Sequence, residues 1–148
     1  MAALWSRLST RPLWEGTFSQ PLATTRITSP FGTRRSYNDG PVSGFHGGTD
    51  FGAGSGTPIY APAAGRVVLA DELIVRGNAV LIDHGVGVFS GYWHQSNLAV
   101  KVGQDVQRGD LIGYVGDTGL VTGAHLHWEM RVGGIAVDPM QWTEMPIP

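Results

Sequence analysis

Gly123-Ala-His-Leu-His-Trp-Glu-Met-Arg-Val132 is the stretch whose reading decides the fold. From His125 onward polar and apolar residues alternate, which is the period of an extended strand. Side chains at i and i+2 share a face of a strand, and their neighbours take the other. His125, His127 and Glu129 therefore share one face, while Leu126 and Trp128 turn into a core. Outward from this stretch, similar runs recur: Gly65 to Ala70 (GRVVLA), Asn78 to Asp83 (NAVLID), Val88 to His94 (VFSGYWH) and Asp110 to Val115 (DLIGYV). Each is bounded by Gly, Asp or Asn, as strands are. No window holds a 3.6-residue period over three turns, and only a short helical turn near Pro139 to Trp142 is expected. The fold class is mainly β: an antiparallel sandwich or partly open barrel.

The stretch from Thr28 to Phe45 is rich in Gly, Pro, Ser and Asn and reads as a loop. Residues 1–18 have no clear assignment, although Leu4, Trp5, Leu8, Leu13 and Trp14 could dock on the domain surface. Gly56 to Val68 and Val102 to Gly113 share one layout of turn, short strand, tight glycine turn and strand. That semi-repeat resembles the hammerhead pattern of biotinyl and lipoyl carrier domains, and it speaks to architecture alone. The expected organisation is an N-terminal extension over 1–17, one catalytic domain over 18–142 and a tail over 143–148.

Composition agrees. A chain of 148 residues makes one domain with one core. Its 22 glycines and 15% charged residues suit a turn-rich β-protein. A net charge of −2 argues against a general nucleic-acid binder. There is no cysteine, hence neither a disulfide framework nor a thiolate metal site. No apolar run approaches the roughly 18 residues of a membrane span. Met1 to Gly16 has Arg7 and Arg11 but no apolar core of a signal peptide, so an exported protein would be represented here in trimmed form.

The five histidines are His46, His84, His94, His125 and His127. His46-Gly-Gly-Thr-Asp50 and His125-Leu-His127 can each aim their polar groups at one point, the first if Gly47 to Asp50 runs extended. Two histidines with one carboxylate form the ligand set of a catalytic zinc site that keeps a fourth position open. Spacing alone does not say which of His125 and His127 would bind, since both face the same way. His94 is either an edge-strand histidine capping the core or a third site histidine. His84, before Gly85, reads as a surface turn or a strut beneath the site. Glu129 reads first as an exposed salt-bridge partner, with an orienting role toward an imidazole as the alternative. Arg34 and Arg35 solvate the loop, or one of them meets a substrate carboxylate.

His46-Gly-Gly-Thr-Asp50-Phe-Gly, Gly56-Thr-Pro-Ile-Tyr-Ala-Pro, Gly65-Arg-Val-Val, Gly77-Asn-Ala-Val-Leu-Ile-Asp-His84-Gly, Tyr92-Trp-His94, Val102 to Gly109 and Gly119 to Glu129 occur in the order seen in lysostaphin-like zinc endopeptidases. The resemblance covers roughly residues 18–142, and its specific part is the pairing of H-x3-D with a later H-x-H. It implies zinc held by His46, Asp50 and His127, with His94 and His125 as the catalytic, non-ligand histidines. His84 matches a family histidine outside the metal shell, and a loop tyrosine in relatives that can face the oxyanion suggests Tyr37. Trp128 stands where Phe is usual. Gln95 stands where Leu is usual, which would alter one wall of the groove.

The implied substrate is the peptide part of bacterial peptidoglycan, cut by a monomer in the extracellular space or cell envelope, with no nucleic acid and no membrane span involved. A metal so held lowers the pKa of bound water toward about 7 and polarises the scissile carbonyl; an imidazole can exchange a proton near neutral pH. Two other classes compete. One is a non-catalytic module that binds wall peptides or activates a partner hydrolase. The other is a carrier domain, which needs a modifiable lysine at a hairpin tip; the only lysine, Lys101, lies just outside that turn.

Overall fold

The computed structural model describes residues 12–23, 26–32, 34–36, 42–45, 47–119 and 123–144, with side chains omitted at 34–36 and 42–45. Twelve strands and one helical turn are found among them: β1 (Ile27–Ser29), β2 (Arg34–Ser36), β3 (Val42–Phe45), β4 (Thr49–Phe51), β5 (Pro58–Tyr60), β6 (Gly65–Leu73), β7 (Gly77–Gly85), β8 (Val88–Leu98), β9 (Asp105–Val106), β10 (Leu111–Val115), β11 (Leu126–Val132), β12 (Ile135–Val137) and α1 (Gln141–Glu144). Ten strands form one open antiparallel sheet in the order β1-β4-β11-β8-β7-β6-β9. β10 joins β5 to β8, and β12 extends β11. The mainly β expectation holds, and the sheet does not close.

The chain from Thr28 to Phe45 departs from the loop reading. It contributes β1 to the sheet and a separate β2–β3 hairpin. Strand pairing uses main-chain groups and needs no side-chain period where packing context supplies the stability, so the polar composition did not reveal it.

β7 lies inside the sheet and is buried on both faces. Its alternation sends Val80 and Ile82 into the larger core, with Phe51, Ile59, Tyr92, Ile112, Leu126 and Trp128. Ala79 and Leu81 face a smaller core with Val68, Phe89 and Trp93. That explains why NAVLID is a continuous apolar run, whereas β11 alternates. The semi-repeat folds as two interlocked hammerheads: β5 of one half pairs with β10 of the other, and β6 with β9. Ala61 and Asp110 close the crossing, Ala61 N–H donating to the Asp110 carbonyl at 2.8 Å.

The N-terminal aromatic residues penetrate more deeply than surface docking. Trp14 is buried, with its ring 5.7 Å from Phe18 and 5.8 Å from Trp142 at steep edge angles. Leu13 stays exposed, and Leu4, Trp5 and Leu8 lie outside the described residues. His84 is neither a surface turn residue nor exposed: it is fully buried on β7 beside Phe18. One ring nitrogen donates to the Ala64 carbonyl at 2.8 Å, and the other accepts from Ser90 Oγ at 2.6 Å. Ser90 Oγ in turn accepts from the Tyr92 hydroxyl at 2.7 Å. A neutral imidazole satisfies this chain completely, and burial lowers the His84 pKa to about 4.

Candidate metal centre

β11 lies between β4 and β8, and register brings the site together. His127 is directly opposite Asp50 on one side and Trp93 on the other. Directly opposed residues share a face about 5 Å apart. Asp50 Oδ1 consequently sits 2.9 Å from His127 Nδ1 and 3.9 Å from His125 Nε2. His125 lies on the same face one pleat away, in an isolated bridge to Gly116. Leu126 and Trp128 are fully buried on the opposite face, as the alternation required.

The approach of β4 to β11 depends on a missing side chain. A Cβ on Gly48 would lie 2.5 Å from the Trp128 carbonyl oxygen and 2.7 Å from His127 Nε2. Only glycine lets this segment pass over the imidazole. Gly47 has no such demand, since its Cβ would meet only Glu129 Oε1, at 3.8 Å.

Glu129 corrects the expectation of an exposed ion-pair partner. It is 6% exposed, and its carboxylate is gripped from three sides. His127 Nε2 lies 3.0 Å from Oε1, Trp93 Nε1 donates to Oε1 at 3.4 Å, and Arg131 Nε donates to Oε2 at 2.9 Å. Arg131 is itself anchored through Nη1 to the Gly134 carbonyl, at 3.0 Å. Arg131 shares the strand face two residues along, and it supplies the countercharge that lets the carboxylate be buried. Burial alone would raise the Glu129 pKa, but the bonds from His127 and Arg131 outweigh it and the carboxyl stays ionised.

These bonds set the protonation of His127. Its Nε2–H donates to Glu129, leaving Nδ1 to face Asp50. Burial disfavours the imidazolium, yet the two carboxylates more than offset it, and the pKa is raised. A nitrogen lone pair facing a carboxylate oxygen at 2.9 Å needs a positive particle between them, which is a proton in the bare protein and a cation in a loaded one. An imidazole nitrogen and a carboxylate oxygen converging in this way are donors that suit a divalent cation. Among the described residues no third ligand completes the set. His46 and Tyr37 lie outside the described residues, as do the side chains of Arg34 and Arg35.

His94 lies at an irregularity of β8. Asn78 pairs with Gln95 and Val80 with Tyr92, so β8 carries one extra residue between them. Such a bulge re-aims a side chain. β8 is flanked by β7 and β11, so His94 is not an edge-strand residue. Its backbone adopts φ 65°. Its ring lies 5.1 Å from that of His125 and 6.5 Å from that of His127. Nδ1–H donates to the Thr118 carbonyl at 2.8 Å, and in His125 Nδ1–H donates to the Gly123 carbonyl at 3.0 Å. With Nδ1–H so engaged, it is Nε2 of each ring that faces the site. Burial lowers the His94 pKa, and the neighbouring His125 and His127 push the same way, against the bond to Thr118 and the charge of Asp50.

Two open cavities flank these residues. One, of about 740 Å³, is lined by Arg26, Thr28, Asp50, Gly52, Gly123 and His125 among others. The other, of about 310 Å³, is lined by Val75, Arg76, Trp93, His94, His127 and Glu129. Gln95 is not on a groove wall: it is fully buried, with Nε2 donating to the Tyr92 carbonyl at 3.0 Å. Sequence reasoning did not single out Trp93, Gly48 or Thr118. Trp93 stacks on His127 with centroids 6.5 Å apart and planes 12° apart.

Residues 44–139 match peptidase family M23. The chain belongs to this family. Over 116 residues it is 43% identical to the peptidoglycan DD-endopeptidase ShyA of Vibrio cholerae, a match covering 78% of this chain and 27% of ShyA. The chain therefore spans about a quarter of that curated relative. A crystal structure of a zinc-containing peptidase from V. cholerae superposes with a TM-score of 0.78 at 36% identity, covering 84% of this chain and 39% of that one. The catalytic domain of lysostaphin from Staphylococcus simulans superposes with a TM-score of 0.71 at 31% identity, covering 80% and 92%. These likenesses agree with the lysostaphin-like resemblance of the motifs, and the M23 chain is a metallopeptidase by family. No helix among the described residues is long and apolar enough to cross a membrane.

Proposed function

We propose that this chain is a zinc endopeptidase acting on the cross-links or stem peptides of bacterial peptidoglycan, as a monomer in the cell envelope or outside the cell. Residues 18–142 form its catalytic domain. The observation that carries the proposal is the facing pair of Asp50 Oδ1 and His127 Nδ1, 2.9 Å apart, with Glu129 holding the far nitrogen of the ring. His46, Asp50 and His127 would hold the zinc. When bound, zinc supplies a Lewis acid that polarises the scissile carbonyl and makes water more acidic.

The remaining chemistry belongs to side chains of this protein. His94 and His125 each present Nε2, fixed by a carbonyl at Nδ1. Burial keeps His94 neutral, which suits it to accept the proton that attacking water gives up. His125, taking a proton at Nε2 from solvent, donates a hydrogen bond to the oxyanion of the tetrahedral intermediate, and the proton held by His94 passes to the leaving amine as the carbon–nitrogen bond breaks. Trp93 and Glu129 fix the His127 ring plane, so no reorganisation is needed when substrate arrives.

The name of ShyA supports a bond between two D-configured residues as the point of cleavage. The test is release of peptides, with loss of turbidity, from purified cell walls of several chemotypes, by zinc-loaded protein with and without chelator. Chelator-sensitive release is expected. Stoichiometric zinc with no release from any wall would leave a non-catalytic wall-binding module instead.

A further inference from the structure

The larger cavity beside the metal centre is built from backbone and small side chains: Gly52, Ala53, Gly54, Gly123 and Ala124. Besides Asp50 and His125, the only ionisable group on its described lining is Arg26.

Arg26 is also seated. Its carbonyl accepts from Gly52 N–H at 3.0 Å, at the entry to β1. Next to it, Ile27 pairs with Phe51 on the ligand-bearing strand β4. The aliphatic stem lies across Gly52: a Cβ there would come within 3.2 Å of Arg26 Cδ and Nε and 2.9 Å of Thr28 Cγ2. Thr28 in turn donates to the Asp50 carbonyl at 3.4 Å. The backbone that presents Asp50 thus also carries the arginine along the cavity floor.

A trough whose described lining is mostly glycine and alanine, with one guanidinium, suits a peptide main chain that carries a carboxylate. We propose that Arg26 is a specificity-determining residue that reads a free carboxylate on the substrate, next to the bond being cut. This inference rests on the peptidoglycan reading above. A cross-link from D-Ala to the D-centre of a diamino acid fits that description, because the α-carboxylate of the D-centre stands on the carbon attached to the scissile nitrogen. A glycine bridge has no such group. Arg is suited to the task because its planar fork meets a carboxylate through two parallel bonds, whereas Lys offers a point charge.

The test compares two synthetic cross-linked muropeptides that differ only at that position, one with the free carboxylate and one with the primary amide. Zinc-loaded wild-type protein is expected to cut the acid with a kcat/KM at least about tenfold above that for the amide, the scale of a charge-assisted hydrogen bond. In Arg26→Gln the acid-to-amide ratio falls to near one, and in Arg26→Lys it takes an intermediate value. Gly52→Ala, which displaces the stem without removing the charge, also lowers the ratio. Equal rates on the two substrates by wild type, or equal loss on both in Arg26→Gln, overturns the inference while leaving the peptidoglycan reading intact. Failure of wild type to cut either substrate overturns both.

Discussion

Replacing Glu129 by Gln tests whether the metal centre is held from behind. The substitution keeps size and shape but removes the charge. Glu129 accepts bonds from three donors, His127 Nε2, Trp93 Nε1 and Arg131 Nε. A glutamine has one acceptor oxygen and one amide nitrogen that only donates. Whichever way it is turned, either Arg131 or His127 then faces a donor. A hydrogen bond to a charged group is worth about 1.5–3 kcal/mol, against about 0.5–1.5 kcal/mol for a neutral pair. The His127 ring therefore loses about 1–2 kcal/mol of orientation, which is about one decade of zinc affinity, within the 10–100-fold range for outer-shell partners. Arg131 is partly exposed, so its lost ion pair adds less than about 1 kcal/mol to the loss of stability.

A second effect runs the other way. Glu129 helps raise the His127 pKa, and a proton at Nδ1 competes with the metal. Removing the carboxylate lowers that pKa and relieves the competition. The affinity loss should accordingly be larger at pH 8 than at pH 6. Zinc affinity measured by competition with a chromophoric chelator at both pH values checks this. A dissociation constant at pH 8 within about twofold of wild type, in a protein that melts normally, would refute the reasoning.

Three further outcomes are expected. Gly48→Ala should destabilise the fold by about 1–3 kcal/mol and weaken zinc binding, because its Cβ meets the Trp128 carbonyl and the His127 ring; Gly47→Ala should be near neutral, as thermal melts would show. His84 carries a folded-state pKa of about 4 against 6.5 when unfolded, so the unfolded state binds the extra proton. Stability from this residue is complete above pH 6.5 and falls by up to about 1.4 kcal/mol per unit down to about pH 4; denaturant titrations of His84→Gln should show a flatter slope over that window. Thr118→Val should lower stability by about 1–2 kcal/mol, since Oγ1 donates to the Gln95 carbonyl and accepts from Asn78 N–H. It should reduce kcat with KM little changed, and Thr118→Ser should restore both.

What was legible in the sequence was periodic. The alternation from His125 to Arg131 and the apolar run of β7 are direct consequences of one-faced and two-faced burial. Residue type and spacing pointed to Asp50 converging with the His125-x-His127 pair; that His127 rather than His125 is its partner came only from the lysostaphin-like resemblance, and the register of β4 on β11 sets the two opposite each other. Groups whose surroundings come from elsewhere in the chain were not legible. Glu129 was misjudged because acidic side chains are seldom buried, although Arg131, two positions on, was a visible sign of compensation. Of the two readings of His84 the surface turn fails: a glycine after a histidine suggests a turn, whereas the ring is buried between Ala64 and Ser90 as a strut would be. Trp14 has no periodic neighbour to mark it as core; Phe18 and Trp142, which cover it, lie in different parts of the chain.

The same contrast explains why His94 needs so much support. A non-glycine residue at positive φ costs of order 1–3 kcal/mol and persists only where its surroundings over-determine it. Three separate segments do so here. The hairpin between β6 and β7 accepts the His94 N–H at the Arg76 carbonyl, at 2.7 Å. Asn78 Nδ2 then donates to the carbonyls of Gln95 and Ser96, at 3.0 and 3.3 Å, clamping the chain just beyond the bulge. Thr118 binds the imidazole through its carbonyl and the Gln95 carbonyl through its hydroxyl. The segments can converge because residue 77 is glycine: a Cβ there would stand 2.4 Å from Thr118 backbone atoms. A regular strand would have carried His94 to the opposite face from Trp93. The bulge instead brings both rings against the His127 imidazole, and the distributed hydrogen bonds offset the strain of doing so.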